Sequence, residues 1–315
     1  MTCRTRRASR GIVAVALTLF CMSASAAEVE PKCGGVTNNP ELAIKVCTRL
    51  IEYAGLEKSE LAKAYYTRGL EWATQGNHDR ALADFDVAVG LDHNLPSIYY
   101  NRALSLSEKG EHDRAIVDYD QAVRLNPRDP RARTGRAVEW TMKGDYKRAL
   151  ADYEEVIRLD PREMGGYFGR ARVRFYAGDF MPAASDFIRA HQLDGSMYTA
   201  LWLYLARKRA DIPGENTIAQ ESGTSGAGEW PAPLVALYLD KTTPDAVQKA
   251  ATHQNVTRQR DQRCEANFYV AHWHLLKGAR GPAAQLLREA QLQCPTGFIE
   301  HEGAVAELRR LEQKP

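Results

Sequence analysis

The chain has 315 residues, 42 basic and 40 acidic side chains, and a formal net charge of +2. Four of the basic residues (Arg4, Arg6, Arg7, Arg10) and none of the acidic ones fall in residues 1–26, so residues 27–315 carry 38 against 40 and a net charge of −2. That balance excludes the cationic footprint of a nucleic-acid binder, and beyond the N-terminus no stretch reaches the 18 apolar residues that a membrane helix needs.

Residues 1–26 have the layout of a Sec-type signal peptide: four arginines, the apolar GIVAVALTLFCM, then Ala24-Ser25-Ala26 as a small-x-small cleavage site. Cys21 follows Phe20, where a lipidation signal requires a small residue, so no lipid or other direct membrane anchor is expected. Thr5-Arg6-Arg7 resembles the start of a twin-arginine signal, but Ser9 and Arg10 stand where apolar residues should follow. The expected location is the periplasm or outside the cell. Four cysteines remain beyond the signal: Cys33, Cys47, Cys264 and Cys294. An even number in an exported chain points to disulfides, with three connectivities open.

Residues 27–61 read as an extension with one solitary helix in NNPELAIKVCTRLIEYAG, started by Asn39 as N-cap and Pro40 in the first turn. From residue 62 to 210 a period takes over. Gly76, Gly110, Gly144 and Gly178 are spaced by 34, as are Ala81, Ala115, Ala149 and Ala183, and Phe85, Tyr119, Tyr153 and Phe187. On either side of each glycine, apolar residues recur at three- and four-residue steps, the pattern of two amphipathic helices joined by a turn. Small residues at Gly69, Ala103, Ala137 and Ala171 and the endings LNP and LDP, with Pro127 and Pro161, complete the unit.

This unit resembles the tetratricopeptide repeat (TPR), which implies an all-α fold, a right-handed solenoid of helix–turn–helix units. Four units span 62–197, with His93 and Gly195 departing from the usual proline, and YTALWLYLARKRA looks like the first helix of a decayed fifth. Residues 211–243 lose the pattern and read as a Gly/Ser-rich linker with at most a short helix. A C-terminal block, 244–315, restarts with Thr243 as N-cap and Pro244. Gly278 as turn glycine places Ala271, Ala283 and Pro295 in the repeat columns, so 264–297 reads as another unit. Gly278 follows Gly178 by 100 residues and not 102, which sets the block apart.

The stretch from Cys264 through Phe298-Ile299-Glu300-His301 to Glu307-Leu308 also resembles the end of NlpI, a family of periplasmic TPR adaptors. That resemblance implies a non-enzymatic adaptor bringing an envelope protease to peptidoglycan hydrolases. The chain departs from the family in its missing lipobox, its cysteine pairs and its longer linker.

Cys264, His272 and His274 suggest a metal site, but helix geometry opposes it. His272 and His274 are about 200° apart around a helix, and Cys264 lies roughly 12 Å along the axis from His272. No metal and no cofactor is expected. Cys264 at the start of one helix and Cys294 at the end of the next should lie side by side in a hairpin, so Cys264–Cys294 and Cys33–Cys47 are the expected pairs. Two charged columns share the period: Arg68, Arg102, Arg136, Arg170 and Asp84, Asp118, Asp152, Asp186. Their matching numbers favour an Arg–Asp pair inside each unit over a basic binding strip.

Peptide-binding repeats use the inner face of their first helices. Here that face offers Tyr66, Tyr100, Thr134 and Phe168, then Leu70, Leu104, Val138 and Arg172 one turn on, with Asn101 beside them. A protein segment, extended or helical, is the expected partner, and a homodimer is compatible. The carboxylate clamp of chaperone-tail binders is not expected, because Tyr66 and Leu70 stand where it needs lysine and asparagine, leaving only Asn101 and Arg131. No nucleophile elbow, zinc helix or phosphate loop occurs. The competing expectations are a structural part of an envelope assembly and an enzyme with its site in 211–262.

Overall fold

The structure, a computed structural model, describes residues 33, 39–53, 55–213, 218, 229–295 and 297–313. The expected signal peptide and the Gly/Ser-rich part of the linker lie outside the described residues.

Within them the chain is all-helical. Helix α1 (Pro40–Tyr53) precedes four helical hairpins: α2 (Lys58–Thr74) with α3 (His78–Leu91), α4 (Pro96–Glu108) with α5 (His112–Leu125), α6 (Pro130–Met142) with α7 (Tyr146–Leu159), and α8 (Met164–Ala177) with α9 (Phe180–Asp194). Next come α10 (Met197–Arg209), α11 (Ala232–Tyr238), α12 (Pro244–Ala250), α13 (Val256–Leu276), α14 (Arg280–Gln293) and α15 (Ile299–Gln313). Asn39 caps α1 by accepting from the Leu42 amide at 3.0 Å, and Thr243 caps α12 by accepting from Ala246 at 3.3 Å.

Each hairpin turns at a left-handed glycine. Gly76, Gly110, Gly144, Gly178 and Gly278 have φ between +73° and +92°, a region costly for residues with a Cβ. Between the helices of each hairpin the alanine column is fully buried, and Phe85, Tyr119, Tyr153 and Phe187 are at most 1% exposed. Those rings need a gap in the facing helix. A Cβ at Gly69 would lie 2.7 Å from Phe85, one at Gly135 2.4 Å from Tyr119, and one at Gly169 2.2 Å from Tyr153.

Both disulfides are sequential. Cys33 and Cys47 have Cα atoms 4.9 Å apart, and Cys264 and Cys294 have theirs 5.0 Å apart. Cys264 does not open its helix, however. Helix α13 begins at Val256, about two turns earlier, so the bond joins the body of α13 to the cap of α14.

The C-terminal block is not set apart from the array. One core runs from Ala171 and Phe175 through α10 and α11 to Phe268, Ala283 and Leu308. Its hub is Trp202 in α10, fully buried, with ring centroids of Phe268 at 5.3 Å, Phe175 at 5.4 Å and Phe187 at 5.7 Å. Seven of the thirteen residues of α10 are buried, too many for one stripe, so the helix must be covered from several sides. Losing the Trp202 side chain would cost about 3–5 kcal/mol. The segment read as a linker joins the same core through Leu234, Val235, Leu237 and Tyr238, whose hydroxyl donates to the Tyr269 carbonyl at 2.6 Å.

Candidate functional site: the inner face of the first helices

The charged columns sit beside this face and hold it in register. Arg68, Arg102, Arg136 and Arg170 each donate two hydrogen bonds, from Nε and an Nη, to the aspartate sixteen residues on: Asp84, Asp118, Asp152 and Asp186, at 2.5–2.9 Å. This bidentate fork is the geometry for which arginine is suited and lysine is not. The third nitrogen reaches backwards across the unit boundary, from Arg102 to Asp86 at 2.8 Å and from Arg136 to Asp120 at 2.5 Å. Arg68 uses it on the Thr48 hydroxyl of α1 at 3.0 Å. Through Arg68, Arg102 and Arg136 the column is therefore a ladder that ties the first three units each to the element before it.

The inner-face residues divide into two sets. Tyr66 and Leu70 on α2, Tyr100, Asn101 and Leu104 on α4, and Thr134 and Val138 on α6 are half-buried or exposed; Leu104 is 39% exposed. Asn101 joins two units, its amide donating to the Tyr66 hydroxyl at 2.9 Å and to the Ser97 carbonyl at 2.8 Å. Tyr66 leans on Phe85 and Tyr100 on Tyr119, each with centroids 6.0 Å apart, so both rings are braced from behind. The Thr134 hydroxyl turns back to the Pro130 carbonyl at 3.1 Å.

Arg131 adds a cation to this set. Its guanidinium lies 5.3 Å from the Tyr100 ring centroid and is held there by Asp129 at 2.6 Å. Burial raises the Tyr100 hydroxyl above its ordinary pKa while the Arg131 cation pulls it down, and Arg131 in turn lowers Asp129. The result is an apolar strip with one cation over an aromatic face.

Phe168 and Arg172 on α8 form the second set: Arg172 is buried, and Phe168 is half-buried with its ring engaged by the core behind it. Phe168 packs its edge against Phe187 at 5.6 Å and Trp202 at 6.3 Å. Arg172 is 6% exposed and pairs with Glu302 of α15 at 3.1 Å. The Tyr176 hydroxyl, one turn further, donates to the Ile299 carbonyl at 3.0 Å. Helix α15 thus packs on the C-terminal half of α8, over Arg172 and Tyr176. It can approach closely because it presents small residues: Gly303, Ala304 and Ala306 are buried, and a Cβ at Gly303 would meet Phe268 of α13 at 2.5 Å and Tyr176 of α8 at 3.3 Å. Such a stripe of small residues was the one signal in the sequence that α15 packs inside the array and does not merely close it.

Cys264, His272 and His274 do not converge. Cys264 is in its disulfide, and His274 is only half-buried. His272 is fully buried between the rings of Phe268 at 4.5 Å and Phe175 at 5.5 Å, with neither nitrogen partnered among the described residues. Burial, and then the cations of Arg209 and Arg310, hold its pKa well below the usual histidine value, so it packs as a neutral ring.

Residues 100–164 match the family model of the tetratricopeptide repeat. Among solved structures, the C-terminal part of a TPR repeat-containing protein from Cytophaga hutchinsonii is 17% identical, with a TM-score of 0.52, over 84% of this chain and 95% of that one. MamA (residues 41 to the end) from Desulfovibrio magneticus RS-1 is 20% identical, with a TM-score of 0.47, over 52% of this chain and 92% of that one. The first TPR of Spaghetti (RPAP3), solved with an HSP90 peptide, is 23% identical, with a TM-score of 0.37, over 38% and 94%. The fold is an all-helical solenoid of the tetratricopeptide-repeat type, with the repeat family itself matched over residues 100–164.

Proposed function

We propose that this chain is an exported, non-enzymatic scaffold that holds a segment of a partner protein against the inner face of α2, α4 and α6. The observation that carries the reading is the division of that face. On α8, Arg172 is buried against the chain's own α15, while Leu104 is exposed and Tyr66 and Tyr100 are half-buried on braced helices. Rigid aromatic anchors with a cation nearby are the residue types that concentrate binding energy. Two disulfides suit an oxidising compartment. The likeness of the C-terminal block to NlpI favours the periplasm, with an envelope protease or a peptidoglycan hydrolase as partner.

Residues 27–315, oxidised, would be immobilised and exposed to periplasmic extract beside the variants Tyr100→Ala and Leu104→Ala, with retained proteins identified by mass spectrometry. A protease or hydrolase retained by the wild type and lost from the folded variants is the expected result. Equal retention by all three would move the partner off this face. Phe168→Ala does not suit this test, because the ring is part of the Trp202 cluster.

A further inference from the structure

At the edge of the array, where the hairpin turns line up, a cavity of about 530 Å³ opens between Gly144, Gly178 and the last turns of α15. Arg209, Arg309 and Arg310 line it, with Tyr146 and Phe180, and among the described residues no acidic side chain lines it. Glu307, 1% exposed, is shared by two of the three cations, Arg209 at 3.3 Å and Arg310. Arg309 is exposed and forms no ion pair among the described residues. Asp145, next to Gly144, is engaged by Arg148 at 2.9 Å.

The cations are held in place. Arg209 and Arg310 both lie over the Phe180 ring, at 4.6 and 5.1 Å. Arg310 also donates to the Phe175 carbonyl at 2.8 Å and the Tyr176 carbonyl at 2.6 Å, in the final turn of α8. Their crowding is felt by Arg209, whose pKa is lowered by burial and by Arg310 against the pull of Glu307. Like charges fixed together in a half-desolvated recess are stabilised by an arriving anion, and fixed forks bind carboxylates well.

We propose that this recess binds an acidic peptide segment, its carboxylate meeting Arg309 and Arg310 while a neighbouring apolar side chain lies on Phe180 and Tyr146. The recess has the volume of a ligand pocket and two aromatic walls, which an inorganic anion alone would leave unused. The inference takes its ligand class from the protein-binding reading but rests on different residues, so the two can fail separately.

The test is fluorescence anisotropy of a labelled Leu-Glu-Glu-Leu peptide titrated with the whole oxidised chain. The expected result is saturable binding that weakens severalfold between roughly 50 and 300 mM salt. Arg309→Glu, verified as folded by circular dichroism, should weaken it about tenfold or more, and Tyr100→Ala should leave it unchanged. Equal affinity in Arg309→Glu would overturn the site. Inorganic phosphate that shows saturable binding where the peptide shows none would overturn the peptide assignment. Loss in Tyr100→Ala with Arg309→Glu unaffected would place the peptide on the inner face instead.

Discussion

Arg172 of α8 and Glu302 of α15 are 130 residues apart in the chain and form an ion pair 3.1 Å long, with side chains 7% and 5% exposed. Burial works against both charges: it depresses the guanidinium and raises the carboxyl. Glu302, with Tyr176 and Tyr153, more than compensates at Arg172, which stays above its ordinary value. The pair closes the solenoid on itself, so the position that Leu70, Leu104 and Val138 leave at least partly exposed on α2–α6 becomes interior at Arg172 of α8.

Removing one member leaves the other charged and buried. Arg172→Met should cost about 3–5 kcal/mol, whereas Arg172→Met with Glu302→Leu should regain most of the loss, because paired burial is itself expensive. Chemical denaturation of the three proteins measures this. A single variant as stable as the double would contradict it.

Stability should also fall with rising pH on account of Glu300. Its carboxyl is 4% exposed, and burial, reinforced by Glu265, pushes its pKa from 4.5 up to about 8. A raised folded-state value means that the folded form binds the proton more tightly. The contribution is therefore complete below pH 4.5 and is lost as pH climbs towards 8. Glu300→Gln should change little at pH 4.5 and stabilise by on the order of 4 kcal/mol at pH 8. Thermal melts across that range test the sign, and a wild type that gains stability between pH 5 and 8 relative to Glu300→Gln would reverse it.

What repeats every 34 residues was readable from the chain: the turn glycines, the alanine and aromatic columns, and the Arg–Asp spacing. A further column, Glu52, Asp86, Asp120 and Glu154, keeps the same step. Its mixed acids look like ordinary solvated helix surface, and only the contacts of Arg102 and Arg136 reveal a ladder. The fate of Phe168 and Arg172 was not readable at all. Phe168 meets Trp202 of α10 and Arg172 meets Glu302 of α15, and no local periodicity records where a helix outside the repeat packs. The same holds for Leu234 and Tyr238, whose short apolar run is core only because α10 and α13 cover it.

Two glycine substitutions should move stability in opposite directions. Gly90 lies in α3 at ordinary helical φ, and an added Cβ meets nothing within 4 Å. Gly90→Ala should stabilise by about 0.5–1 kcal/mol through helix propensity. At Gly169 the same methyl would sit 2.2 Å from the fully enclosed Tyr153 ring. Overpacking there, about 1–3 kcal/mol, should exceed the propensity gain. Melting temperatures of the pair decide it, and a stabilised Gly169→Ala would show that the Tyr153 ring can shift.

The two partners of Arg136 should differ in worth. Asp152 has 9% of its side chain exposed and Asp120 has 47%. Asp120→Ala should cost less than about 1 kcal/mol, as exposed pairs do. Arg136→Ala strands Asp152 and should cost roughly 2–3 kcal/mol, below the fully buried case because the arginine keeps some contact with water. Salt separates them further: added salt should erase the Asp120 effect and leave most of the Arg136 effect.

Reduction tests the role of the C-terminal disulfide. The Cys264–Cys294 bond closes a separation of 30 residues, and both cysteines are buried, at 0% and 7% exposure. In the chain-entropy account a loop of that size contributes about 3–4 kcal/mol. Because α13 and α14 belong to the same core as Trp202, the loss should be felt as far as α8. Replacing both cysteines by alanine should lower the unfolding midpoint and loosen α15, read as faster amide exchange of its backbone. Unchanged exchange in α15 at reduced global stability would mean that the hairpin melts independently of the helix it supports, and the single continuous core from Ala171 to Leu308 would then not act as one cooperative unit.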